Sequence, residues 1–310
     1  MPVSVRQQVA PQPNATTDGS RGALAAATCY LAWGLFPLYW KQLSAINPLE
    51  LIAHRHLSCL VFVLLVMGFG RGWGGLKGAL QSRTAVKWHA LSGSLLTVNW
   101  IVFVWGVNTG HVLEVSLGYF LVPLVNVGLG RFALHEQLRR AQWIAIGFAA
   151  AGVVLLMIRV GRPPWIALAL AGTFGAYGLL RKKSPLGPLV GLGLETLLLA
   201  PAALAFVVWR QNTGAGALGH VSVTTHGLLL CVGIITAVPL LLFAYGARRI
   251  LFTTLGLLQY IAPTVQFALG TWLYNEPFTA AQASAFTLIW IGLALYTADN
   301  LRNQPRFATG

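Results

Sequence analysis

The sequence predicts an all-α integral membrane protein, with ten transmembrane helices arranged as two five-helix repeats of inverted topology. Three observations carry that prediction. Of 310 residues, 56% are apolar and only 9% are charged, where a soluble domain carries roughly a quarter charged. The apolar residues gather into ten runs of membrane-spanning length. Finally, the stretch PLVNVGLGRFALHEQLRRAQ (123–142) returns 140 residues later as PTVQFALGTWLYNEPFTAAQ (263–282), stripped of its arginines.

Residues 1–21 are polar and read as a flexible cytoplasmic tail. A helix needs about 20 mainly apolar residues to cross the hydrocarbon. The runs that qualify are 22–40, 49–68, 87–107, 112–132, 140–158, 164–180, 188–208, 225–247, 252–273 and 280–298. The first is longer than a signal-peptide core and is read as retained. Residues 300–310 form a second cytoplasmic tail.

The loops set the orientation. Sixteen Lys and Arg fall on the side that holds both termini, four fall on the other, and Arg55 is left inside the second span. Positive loops stay in the cytoplasm, so both termini are expected there. This alternation also accounts for the net charge of +14 without a nucleic-acid partner, which would need a basic face. Trp40, Trp88, Trp143, Trp165, Trp209 and Trp272 sit near span ends, as interfacial anchors do. The three cysteines, Cys29, Cys59 and Cys231, lack metal-ligand spacing and read as small packing residues. No metal or cofactor is expected.

Seven of the twenty repeated positions are identical, while Arg131, Arg139 and Arg140 become Thr271, Thr279 and Ala280. The offset is five spans, an odd number, so the second copy runs upside down and its loop faces outward. The units are 22–158 and 164–299. Inverted repeats are common in secondary transporters, because rocking one half against the other exchanges two access states.

WGLFPLYWK (33–41), PLELIAHR (48–55), Asn99-Trp100, GHVLEVSLGYFLVPLVNV (110–127) and LGLLQYIAPTVQF (255–267) resemble RarD-type proteins of the drug/metabolite transporter superfamily, whose repeat unit is the EamA domain. The resemblance runs from about residue 22 to 299. It implies a permease of the bacterial inner membrane that moves a small metabolite or drug. It does not supply a substrate.

Charged groups inside spans are costly and mark function by default. Arg55, preceded by His54, stands about six residues into span 2 and suits anion binding, or else snorkels to the outer headgroups. Glu195, in span 7, occupies the repeat-equivalent position. It could carry a proton, pair with Arg55 in one state, or bond a backbone carbonyl. His111 and Glu114 share a helical face at the outer start of span 4 and could relay protons, or simply begin a helix. Asn99, Trp100, Tyr119, Asn126, Gln259 and Tyr260 could line a pathway or hold helices together. Pro123 and Pro263 are repeat-related candidate hinges. Glu136 and Glu276 read as structural, each favouring the start of the next helix.

These features favour a non-enzymatic secondary transporter working by alternating access, with protons as a candidate coupling ion. The sequence contains no Walker A loop for a primary pump. An intramembrane enzyme acting on a lipid-phase substrate, or a channel, are the alternatives. A homodimer is left open.

Overall fold

The computed structural model describes residues 15–70, 72–160, 163–273 and 280–303. Among them there are helices and connecting turns and no strand. Glu276 lies outside the described residues, as do the loop and tail cations Arg6, Arg71, Arg162 and Arg306.

The first half contains α1 (Ala15–Trp40), α2 (Pro48–Phe69), α3 (Gly72–Gln81), α4 (Arg83–Asn108), α5 (Val112–Ala133) and α6 (Arg140–Val160). The second contains α7 (Trp165–Lys183), α8 (Pro188–Asn212), α9 (Val223–Ala247), α10 (Phe252–Leu258), α11 (Ile261–Ala268) and α12 (Ala280–Arg302). A π turn, Leu269–Leu273, continues α11.

Helix starts follow local chemistry. Asn47 accepts hydrogen bonds from the amides of Leu49 and Glu50, and Pro48 follows it with a backbone already suited to a first turn. Ser82 caps α4 through the Ala85 amide, and Ser222 caps α9 through the Thr225 amide.

Among the described residues, seven helices are long and apolar enough to cross a membrane by length and composition. The other three expected spans fall on α7, on the α10–α11 pair and on α12, which are outside that set. α7 ends in three consecutive cations, Arg181 to Lys183. The span expected over 252–273 is broken between Leu258 and Ile261. Pro263 has no amide hydrogen to return to Gln259, and the amide of Ala262 takes that carbonyl instead. By contrast, α5 runs unbroken through Pro123.

Two further differences concern boundaries. α1 begins at Ala15, so residues 15–21, expected as tail, extend the first helix; Asp18 on this extension pairs with Arg249 at 2.8 Å. The loop expected between spans 2 and 3 contains α3, which buries Leu76 and Ala79 and packs on α8. Its few apolar residues among glycines gave no spanning signal.

The outer surface is apolar. Phe69 is 94% exposed and Leu230 75%, which suits lipid rather than water. Inside, α2 and α9 approach so closely that a Cβ on Gly233 would land on the Ser58 carbonyl. Cys29 and Cys59 are buried, whereas Cys231 faces outward.

The helix contacts fall into matching sets. α6 packs on α12, α2 on α8, and α5 on α10. α1 packs on α9 as α4 does on α7, and α5 meets α7 as α10 and α11 meet α1.

Candidate functional site

A cavity of about 520 Å³ lies between α1, α2, α4, α5, α7, α9 and the α10–α11 pair. It reaches the bundle end where α1 turns into α2, past Trp40, Leu43, Ser44, Ile46 and Pro48. Most of its wall is aromatic or aliphatic, with a few polar groups, as in small-molecule sites generally. Trp33 and Phe174 meet edge to face at its floor, with Phe243 and Tyr177 packed behind them.

Among the described residues, Arg55 is the one charged side chain on this wall. It is 2% exposed, so it turns inward rather than out to the headgroups. Its guanidinium lies 4.6 Å from the centre of the Trp100 ring. One nitrogen is 3.3 Å from His56 Nε2, and Nε has no partner. Among the described residues no carboxylate pairs with it. An intramembrane cation costs about 2.5–3.5 kcal/mol on insertion scales. A desolvated cation–π contact returns about 2 kcal/mol. The charge is therefore sheltered but not neutralised.

Glu195 has a different environment. It does not pair with Arg55, although both border a narrow gap of about 10 Å³ between α2, α4, α8 and α9. Its Oε1 lies 3.2 Å from Arg181 Nη1 and 3.1 Å from His89 Nδ1, and accepts from Ser92 Oγ at 2.5 Å. Arg181 also donates to the Pro188 carbonyl at 3.0 Å, and His89 Nε2 meets Ser184 Oγ at 2.9 Å. Gly191 makes room for this cluster, because any Cβ there would collide with the Arg181 guanidinium. α4, α7 and α8 are tied together at the end away from the cavity mouth. Just outside the helices, Arg248 donates to the Ser184 carbonyl at 2.9 Å. Burial and the nearby charges of Arg181 and Arg249 hold its guanidinium below the usual arginine range.

Asn99, Trp100, Tyr119, Gln259 and Pro263 join Arg55 on the cavity wall. Asn99 also bridges to α7, donating to the Leu170 carbonyl and Thr173 Oγ1, each at 2.9 Å. Gln259 accepts from Asn126 at 3.0 Å, which joins α5 to α10.

The remaining candidates lie elsewhere. Tyr260 is 1% exposed and donates to the Phe120 carbonyl at 3.3 Å. His54 sits 3.7 Å from Glu50 on its own helix. His111 stacks on Trp105 and meets Thr109 Oγ1 at 2.8 Å, at the start of α5. Glu114 is buried in the first turn of α5, and neither it nor Pro123 lines the cavity.

Glu136 is structural in a way its position did not predict. It caps α10 of the other half rather than the next helix, accepting from the amides of Phe252 (2.5 Å) and Thr253 (2.9 Å) and from Thr253 Oγ1 (2.7 Å).

Sequence reasoning missed three groups. Arg181 had counted only as a loop cation. His89 and Ser92 carried a usable signal, since two polar side chains three apart share one helix face. Glu50 is 1% exposed and holds Arg210 at 3.4 Å and the Ala217 amide at 2.6 Å, fastening the α8–α9 connection to α2.

Residues 20–158 match the EamA-like transporter family. The chain is 40% identical to Protein RarD of Streptomyces exfoliatus over 297 residues, covering 94% of this chain and 93% of that protein. It is 40% identical to the uncharacterized transporter YojE of Bacillus subtilis over 289 residues, covering 92% and 96%. Protein RarD of Escherichia coli is 37% identical over 286 residues, covering 92% and 97%. A solved crystal structure shares the fold at a TM-score of 0.68 and 23% identity, covering 90% of this chain and 98% of that one.

Proposed function

Because the chain belongs to the EamA-like transporter family, in its RarD-type branch, we propose that it is an inner-membrane secondary transporter moving a small molecule through the Arg55 cavity by alternating access. The observation that carries this reading is the asymmetry of the bundle. A cavity of about 520 Å³ reaches one end, and the Arg181–Glu195–His89 cluster ties helices together toward the other. With both termini in the cytoplasm, as the loop charges favour, this is the outward-open state.

The chain then consists of ten spans in two inverted repeats, 22–158 and 164–299. The matching helix contacts support that arrangement, since exchanging the halves maps the α1–α9 contact onto α7–α4 and leaves α2–α8 paired with itself. To face inward, the protein must loosen the Glu195 cluster and close around Trp40 and Pro48. The helix break beside Pro263 is a natural hinge, with Pro123 its repeat counterpart.

Protons are the coupling ion in this reading. A proton on Glu195 removes the charge that holds Arg181, and His89 at 3.1 Å is placed to exchange it. Purified protein in liposomes should accumulate a substrate found by metabolite screening, driven by a pH gradient. Glu195→Gln keeps the side-chain shape but leaves Arg181 without its carboxylate, so it should be less stable than wild type. The fraction that size-exclusion chromatography shows to be folded should lose that dependence on the gradient. Unchanged pH dependence in the variant would remove Glu195 from coupling. Failure of the folded wild type to move any compound in a broad panel would remove the transporter reading.

A further inference from the structure

We propose that the cavity selects an organic monoanion, with a carboxylate set against Arg55 and an apolar or aromatic body against the ring-lined remainder. This deepens the reading of the cavity as the substrate site and rests on it.

The argument begins with the charges facing the space. Among the described residues, Arg55 is the only charged one on the wall, and no acidic side chain lines it. Among the described residues no carboxylate forms an ion pair with Arg55. Glu195 Oε1 is held by Arg181, His89 and Ser92, and its Oε2, buried without a hydrogen-bond partner, makes no contact with Arg55. Glu50 is held by Arg210 and the Ala217 amide. The contacts Arg55 does make, to the Trp100 ring and the His56 imidazole, orient it without cancelling its charge. Its Nε hydrogen has no acceptor although the atom is buried. A guanidinium fixed by a ring stack and left with spare donors suits the two oxygens of a carboxylate. One unbalanced charge calls for one negative charge. A cationic substrate would meet Arg55 and find no acid on the wall.

The rest of the wall defines the body of the ligand. Trp33, Phe36, Trp40, Phe103 and Phe174 surround a space within the range used for small-molecule ligands. Aromatic walls favour a flat or apolar body, and a strongly hydrated polyol acid would lose its water there without replacement.

The test uses three compounds that share an indole ring and differ in charge: indole-3-acetate, indole-3-acetamide and tryptamine. Each is titrated by calorimetry into the purified full-length protein at neutral pH. The acetate should bind at least about tenfold more tightly than the acetamide, consistent with one charge-assisted contact, and tryptamine should be weakest. Arg55→Met should bring the acetate down to the level of the acetamide, and Arg55→Lys should keep part of the preference. The proposal is overturned if the wild type binds acetamide as well as acetate, if tryptamine binds best, if none of the three binds, or if the preference survives in Arg55→Met. Should Arg55→Met fail to fold, the wild-type ranking and Arg55→Lys decide alone. Acid-selective binding without uptake into liposomes would support the site and overturn the transporter reading. Uptake of neutral or cationic compounds with no preference for acids would do the reverse.

Discussion

Arg181 and Arg55 are both 2% exposed, but their surroundings differ. Arg181, on α7, is met by Glu195 at 3.2 Å and by the Pro188 carbonyl at 3.0 Å. Arg55, on α2, has an aromatic face at 4.6 Å and a histidine nitrogen at 3.3 Å. The region around Arg181 is packed so tightly that it needs a glycine at 191, whereas the region around Arg55 opens onto a cavity. Burial alone therefore does not reveal the role of an intramembrane charge. Where the chain supplies the countercharge, the cation fastens helices together. Where the described residues supply none, as at Arg55, the charge borders open space instead.

The largest effect should come from breaking the compensated pair. Arg181→Met leaves Glu195 buried with one fewer countercharge, a loss that typically costs about 3–5 kcal/mol. Thermal unfolding in detergent should show it as the most destabilised variant of this set. The double variant Arg181→Met/Glu195→Leu should recover more than half of the loss, because no orphaned charge remains. If the double variant were as unstable as the single one, packing rather than charge pairing would hold this end.

Next in size is the contact that carries order from the first half into the second. Glu136 satisfies two backbone amides at the start of α10 and the Thr253 hydroxyl. Glu136→Ala removes those acceptors and should cost about 1–2 kcal/mol, as loss of a helix cap does. Because α10 carries Gln259 to the cavity wall, hydrogen exchange should quicken at 252–259 more than in α6, the next helix along the chain. Faster exchange confined to α6 would restore the role its sequence position suggested.

The same contrast separates what the sequence revealed from what it hid. Helices showed through because spanning length and loop charge are local properties of the chain. Arg55 was visible as a candidate because no run of apolar residues explains a charge at that depth. Its stacking partner Trp100 was visible only as one of several aromatic candidates. Arg181 was hidden because it ends a helix next to two lysines, where topology already accounts for a cation. Its inward turn depends on Gly191 and on Glu195, fourteen residues along, and no periodic pattern records that meeting. α3 was hidden for a related reason: ten residues with few apolar ones carry too little signal. The repeat placed Arg55 and Glu195 in equivalent positions, and that equivalence suggested a pair. In three dimensions Glu195 sits with Arg181, because the helix end beside it offers a closer cation.

The smallest expected effect on stability is the most discriminating. Arg55→Met replaces a cation that has no countercharge among the described residues with an apolar chain of comparable length. Replacing buried charge with a hydrophobe is often neutral or stabilising. The lost cation–π contact with Trp100 is worth about 2 kcal/mol or more, and the removed desolvation cost is about 2.5–3.5 kcal/mol, so the two nearly cancel. Thermal unfolding of Arg55→Met should therefore lie within about 1 kcal/mol of wild type, in either direction. A loss as large as that of Arg181→Met would mean that Arg55 has a countercharge within the fold, and the contrast between the two arginines would collapse. A near-zero change in stability, measured beside the loss of acid binding, would place the compensation for Arg55 in the ligand rather than in the protein.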